Sequence, residues 1–372
     1  MPRLSWHDTT LVARLPADRS TAIAKSLAQA GGDAQLVPAA HDEPAHMVVL
    51  EPEAWHNQRP RTVRSREFKG LGAVASLVRK LDPATLRFAS ARGLVEYSYA
   101  FVAAQQVRSS DAVLLPAHLA GGHGRAGREG ELRLAEAGAA LVKRRGFAKH
   151  KPLLVGIAIQ ASAITSADKA VALARSYADL ECDGYWVQFA GLSESEKPTV
   201  VSMCATFLFA LQEVSGRPVF AVDCKNLTWP LLAAGLAGAC IGIGEREAWQ
   251  GPAGASNKRR KIKPSVLHPV LLRNFRVDGP HTTAAFADLE CACGAHPAGR
   301  APLTRPEIRQ HALHVRLRMA DAVTGEHAAQ IIDHWLYDAG WAAYDLGLDP
   351  PPVAAYRAVL DAADGFATAG EL

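Results

Sequence analysis

The chain has 372 residues, 49% of them hydrophobic and 21% charged, enough apolar material for one large α/β barrel with appendages or two ordinary domains, and too much for wholesale disorder. Six cysteines in a chain this long exclude a disulfide scaffold. The net charge of +4 is mild, but five cations (Lys258, Arg259, Arg260, Lys261 and Lys263) crowd into one short segment.

There is no run of about eighteen apolar residues, and the opening MPRLSWHDTTLVARLP lacks a basic start, an apolar centre and a small-residue cleavage site. The expectation is a cytoplasmic protein with no membrane partner. The first 110 residues suggest strands at Leu11–Leu15 and Met47–Leu50 and a helix at Arg19–Ala30. Gly70–Lys80, Thr85–Ala89 and Val95–Val107 are candidates for further strand–helix units.

From Asp111 the pattern sharpens. DAVLLP is a short apolar strand, followed by a Gly-rich stretch over Gly121–Gly130, and Glu131–Arg145 has helical spacing. Leu153–Ile159 is uniformly apolar, as in a strand covered on both faces. Thr165, as the cap, opens a helix to about Leu180, and Tyr185–Ala190 is the next strand. Val200–Val214, Val219–Val222, Trp229–Ala237 and Ala239–Ile243 continue as helix, strand, helix and strand. This alternation demands a parallel sheet covered by helices. A barrel and a doubly wound open sheet both satisfy it, but no G-x-G-x-x-G follows a first strand, so dinucleotide binding has no support. A polar, basic connection follows Trp249, then Val266–Phe275, a cysteine segment, helices near Pro306–Val323 and Ala328–Leu346, and a final helix behind Pro350–Pro352.

Spacing alone nominates a metal site. Cys291 and Cys293 can reach one ion, with His296 three residues on. A helix begun by Thr304, with Glu307 completing a capping box, then presents His311 and His314 on one side. Cys-x-Cys-x-x-His plus a helical His is the four-donor N/S set of a closed structural zinc site. His314 is the first choice for the fourth ligand and His311 the alternative. The competing reading is two incidental cysteines in an Ala/Gly/Pro-rich loop.

The segment ECDGYWVQFAGLSESEK at Glu181–Lys197 resembles the "FDGYAIGGLAVGES" segment of tRNA-guanine transglycosylases. In the same order, Val155–Gln160 resembles that family's "FGIVQGG", and Arg217–Val222 with Trp229–Ala234 resembles "PRYLMGVGTPEDLLEAV". Ala239–Gly244 falls on its final barrel strand, and Cys291–His296 stands where it carries Cys-x-Cys-x-x-Cys. The resemblance covers roughly residues 111–330. It implies a TIM-type (β/α)8 barrel over residues 1–248. It further implies a zinc-bearing appendage over 249–347, to which the residue pattern adds a C-terminal helix over 348–372. It also implies a pentosyltransferase that exchanges a base in tRNA or DNA through an aspartate nucleophile.

The departures fall on the chemistry. The nucleophile strand "DMFDCVMPTR" is matched by GACIGIGERE, with Cys240 near the nucleophile. "DSGGF" has no counterpart in residues 1–110, Ala117 replaces the base-recognising Asp, and Gln188-Phe189 replaces a pair of glycines. Candidates at strand C-terminal ends, where barrel active sites gather, are therefore Asp223 and Glu245 for acid, base or nucleophilic work. Gln160, Gln188 and Lys225 are candidates for substrate contacts. The plainer reading has Asp223 and Asn226 capping the helix near Thr228. Asp183, ahead of its strand, reads as structural, and Phe189 reads as core or as a surface for base stacking. Lys258, Arg259, Arg260, Lys261 and Lys263 are candidate phosphate contacts. The alternative function is a non-catalytic zinc barrel that binds nucleic acid or partners an active subunit in a homo- or hetero-oligomer.

Overall fold

The computed structural model describes residues 11–14, 34–38, 48–51, 90–107, 112–117, 124–149, 151–242, 265–324 and 326–369. The elements run β1 (Leu11–Arg14), β2 (Ala34–Pro38), β3 (Val48–Glu51), α1 (Ala91–Val107), β4 (Val113–Leu114), α2 (Gly124–Arg145) and β5 (Leu153–Gln160). Next come α3 (Ala167–Ala178), β6 (Gly184–Ala190), α4 (Pro198–Ser215), β7 (Val219–Val222), α5 (Thr228–Ala233) and β8 (Gly238–Gly242). A hairpin of β9 (Ser265–His268) and β10 (Arg273–Arg276) leads to α6 (Thr282–Ala287), α7 (Arg305–Ala322), α8 (Ala328–Asp345) and α9 (Val353–Ala369).

The first eight strands form one parallel sheet in the order β3-β2-β1-β8-β7-β6-β5-β4. β4–β8 make a curled half-barrel. Consecutive strands are paired within β1–β3 and within β4–β8, as short crossovers favour, and the two runs are joined by the β1–β8 pair. Arg19–Ala30, Gly70–Lys80 and Thr85–Ala89 lie outside the described residues, and Val95–Val107 belongs to α1.

Burial on both faces explains the uniformly apolar strands. Val155, Ile157, Ile159, Tyr185, Val187 and Phe189 pack under the helices in the main core. The alternate residues Leu154, Trp186, Phe220, Val222 and Cys240 pack together on the opposite, concave face. Period-two alternation puts each set on its own side. Gly156 is required on the concave side, because a Cβ there would meet the Leu115 carbonyl oxygen at 2.7 Å and the Ala117 Cβ at 3.0 Å.

Local signals set the helix ends. Ser166, rather than Thr165, caps α3 by accepting the Lys169 amide. Gly216 ends α4 in the left-handed conformation at φ 62°. Thr304 and Glu307 form the expected capping box on α7. Three elements differ from the sequence expectation. α2 starts at Gly124 rather than Glu131, so most of the Gly-rich stretch is helical. The segment Val266–Phe275 folds as a hairpin, and the short helix α6 had no periodic signal.

At the N-terminal edge of the sheet, Asp183 confirms its structural reading. Its carboxylate accepts the Leu153 amide at 2.7 Å, while its own amide donates to the Leu153 carbonyl at 2.8 Å. α4 is long and apolar enough to cross a membrane. Here it packs between α3 and α9 and buries Val201, Cys204, Phe207, Leu208 and Leu211 in the core.

Candidate metal centre and strand-end site

The hairpin β9–β10, the loop after α6 and helix α7 bring together Cys291, Cys293, His296 and His311, with their ligand atoms all within 4.8 Å of one another. Gly294, at φ 64°, turns the loop so that His296 follows the two sulfurs inward. The His296 Nε2 and His311 Nδ1 atoms are 2.9 Å apart, and the Cys291 Sγ lies 3.3 Å from the His311 Nδ1. A tetrahedral ion with bonds of about 2.0 to 2.3 Å would hold such donors roughly 3.3 to 3.8 Å apart. The cluster is therefore of zinc-site size, with the two separations to His311 at or just under that range.

The outer hydrogen bonds decide which ring atoms face inward. His311 Nε2 meets the Leu267 carbonyl at 2.8 Å, and His296 Nδ1 meets the Pro297 carbonyl at 3.0 Å. A carbonyl only accepts, so both outer nitrogens carry the proton and both inner nitrogens present lone pairs. Two lone pairs facing each other at 2.9 Å repel unless a cation lies between them. Such backbone partners are the usual way a ligating imidazole is oriented. The Ala295 amide donates to the Cys293 Sγ at 3.4 Å, which suits a sulfur carrying negative charge. Burial pushes the His311 imidazole down to about 4, so the ring is neutral as a ligand must be. Burial also pushes the Cys291 thiol up to about 11, and a bound cation is the ordinary means of offsetting that cost. The donors present fit zinc.

His311 therefore replaces His314 as the helical member of the set. On α7 the two residues are three apart, about 60° around the axis. The buried face of α7 with Ile308, Ala312 and Val315 holds His311 at 0% exposure. His314 instead lines a groove of about 450 Å³ toward α8 with Cys291, Arg318 and Trp335. Burial lowers its pKa as well. His268 lies close by but belongs to the packing. Its Nε2 donates to the Ala285 carbonyl, its Nδ1 accepts the Leu271 amide, and Phe286 packs against it edge-on.

At the C-terminal strand ends, Gln188 on β6 donates its Nε2 to the Asp223 Oδ2 at 2.8 Å. Both residues are 3% exposed. Two sequence candidates thus meet, but Gln188 is engaged with the carboxylate. Asp223 and Asn226 are not helix caps: α5 and the turn before it have no side-chain cap, and the Asn226 amide donates to the Leu272 carbonyl. Gln160 ends β5 and donates to the Ala190 carbonyl at 3.1 Å. Lys225 Nζ lies 4.0 Å from a Glu194 carboxylate oxygen, both side chains largely covered. Glu194 was missed because it sits in the charged run Ser193–Lys197, which reads as a solvated loop. The available signal was its place directly after the β6 strand end.

Phe189 takes the core reading and not the stacking alternative. It faces the helices and packs edge-on against Phe207 of α4 at 6.0 Å. Trp186 packs at a tilt against Phe220 on the concave face, and Trp229 is buried in a second core beneath α7 and α8. Cys240 is fully buried among apolar side chains. Glu245 and the basic residues Lys258, Arg259, Arg260, Lys261 and Lys263 lie outside the described residues. No family model and no curated protein matches the chain.

Proposed function

We propose that this chain is a zinc-bearing closed (β/α)8 barrel of transglycosylase type, acting on a nucleobase or its glycosidic bond in tRNA or DNA. Closure of the sheet is supported by its strand order, whose two ends, β3 and β4, are consecutive in sequence and approach within 8 Å at Cα. The observation that carries the chemical reading is the Gln188–Asp223 pair at the C-terminal strand ends, where barrel enzymes keep their reacting groups.

In this reading the zinc is structural, holding the cysteine loop to α7. Asp223 supplies the carboxylate. It forms a bond to C1′ as the C1′–N bond of the resident base breaks, and the electron pair leaves with that base. The departing base takes up a proton from solvent, and an incoming base then attacks C1′, releases the carboxylate and gives its N–H proton back to solvent. Gln188 holds the carboxylate in place. Gln160, Lys225 and Glu245 are the candidates for contacts to the base. The basic residues Lys258–Lys263 supply phosphate contacts, which makes binding fall steeply with salt.

The test is incorporation of labelled guanine into tRNA and into duplex DNA by zinc-loaded protein, alongside an Asp223→Asn variant. Exchange that drops by at least about 100-fold in the variant supports the reading. Exchange at an undiminished rate in the variant, or no exchange by the loaded protein, overturns it. One observation favours a second reading, a non-catalytic partner subunit: the position near the family's nucleophile is Cys240, sealed among apolar side chains. Salt-sensitive nucleic-acid binding without exchange is the outcome that selects it.

A further inference from the structure

Among the described residues, three non-glycine residues hold a left-handed backbone: Asp223 at φ 56°, Lys225 at φ 49° and Leu272 at φ 49°. Such conformations persist only where the surroundings over-determine them. All three converge on one contact. Asp223 and Lys225 lie in the turn after β7, Leu272 lies in the turn of the β9–β10 hairpin, and the Asn226 Nδ2 donates to the Leu272 carbonyl at 2.7 Å. Asn226 and Leu272 are each 2% exposed, so water does not compete for this bond.

The same hairpin reaches the metal cluster. Its Leu267 carbonyl accepts the His311 Nε2 proton at 2.8 Å, and Leu267 is registered against Asn274 of β10 in the antiparallel ladder. A continuous set of buried groups therefore runs from the Cys/His donors through His311, Leu267, the hairpin and Leu272 to Asn226. It ends in the turn that carries Asp223, whose carboxylate is held from the other side by Gln188.

We propose that the β9–β10 hairpin is a strut through which metal binding at the Cys/His cluster fixes the Asp223 turn, with Asn226 as the positioning residue. Metal on the His311 Nδ1 fixes the ring, the ring fixes the Leu267 carbonyl, and the ladder carries that position to Leu272. The two-state element is the turn itself. Clamped, it keeps Asp223 and Lys225 left-handed; released, they relax to ordinary backbone angles. Coupling of this kind is a property of a cycle, not of either site alone. The inference rests on the metal reading of the cluster and not on the transglycosylase reading, so each can fail without the other.

Hydrogen–deuterium exchange of the amides of residues 223–228 tests it, in wild type and in Asn226→Ala, each zinc-loaded and after chelation. Asn226→Leu, which keeps the volume, serves if the alanine variant does not fold. In wild type, chelation should speed exchange of this turn about 10-fold or more. In the variant the turn should exchange fast with zinc bound, at unchanged zinc stoichiometry, and chelation should add less than about 2-fold. The proposal is overturned if the wild-type turn ignores chelation or if the variant responds to chelation as wild type does. It is equally overturned if chelation speeds the amides of α3 as much as those of the turn, since the metal then only staples the whole fold.

Discussion

Glu131 offers the sharpest quantitative test of the fold. Its carboxyl is 3% exposed on α2. It accepts the Ala158 amide at 3.1 Å and meets the Tyr177 hydroxyl at 3.0 Å. β4 is only two residues long, so among the described residues Ala158 has no strand partner on that side, and Glu131 supplies the acceptor. Burial raises the Glu131 pKa from 4.5 to about 8, outweighing the two hydrogen bonds, which act the other way. Between those values the folded chain holds a proton that the unfolded chain has released. Stability should therefore fall as pH rises from about 4.5 and level off above about 8. At roughly 1.4 kcal/mol per pH unit, the gap bounds the loss at about 5 kcal/mol. Glu131→Gln keeps an acceptor for Ala158 and gains a donor for the Tyr177 oxygen, so it should remove this slope. Denaturant midpoints of both proteins from pH 5 to 9 at constant ionic strength measure the difference. Parallel profiles for wild type and Glu131→Gln would refute the reasoning.

Metal analysis of zinc-loaded protein should give about one zinc per chain, lost on His311→Ala and in the Cys291→Ala, Cys293→Ala pair but kept in His314→Ala; loss from His314→Ala instead would reverse the ligand assignment. Gly156→Ala should destabilise the chain by roughly 1–3 kcal/mol, since its Cβ would press on the Leu115 carbonyl, and an unchanged denaturation midpoint would count against the close β4–β5 approach. The amides of Thr304 and Leu303, in that order, hold the Glu307 carboxyl down to about 2. Its contribution should be full above about 4.5 and fade as pH falls toward 2; a Glu307→Gln variant whose acid-unfolding curve overlays wild type argues against the capping box.

The strand–helix alternation from Asp111 to Gly242 was legible because burial on both faces makes each strand a short, continuous apolar run. Asp183 was equally legible, since a carboxylate just ahead of a strand has backbone amides within reach. What escaped was whatever depends on partners far away in sequence. The hairpin Ser265–Arg276 and helix α6 are short and aperiodic, and their shape comes from packing around Phe275 and Phe286. Phe189 could not be placed from composition, because a strand covered on both faces gives no polar mark of which side is which. The direction was set by Phe207 across the interface.

The same limit explains the fourth member of the Cys/His set. Spacing offered both His314, the first choice, and His311, since residues three apart share a side of a helix. Their separation of about 60° matters only once α7 is docked. Docking turns Ile308, Ala312 and Val315 inward and takes His311 with them. It then sets the Leu267 carbonyl against the His311 Nε2, which leaves the Nδ1 lone pair toward the sulfurs. The strand that supplies that carbonyl is the first half of the hairpin whose turn receives Asn226. One packing event thus selects the ligand, fixes its tautomer and braces the turn that carries Asp223. That is why the donor set and the strand-end carboxylate belong to one frame, although residues 223 and 311 lie far apart in the chain.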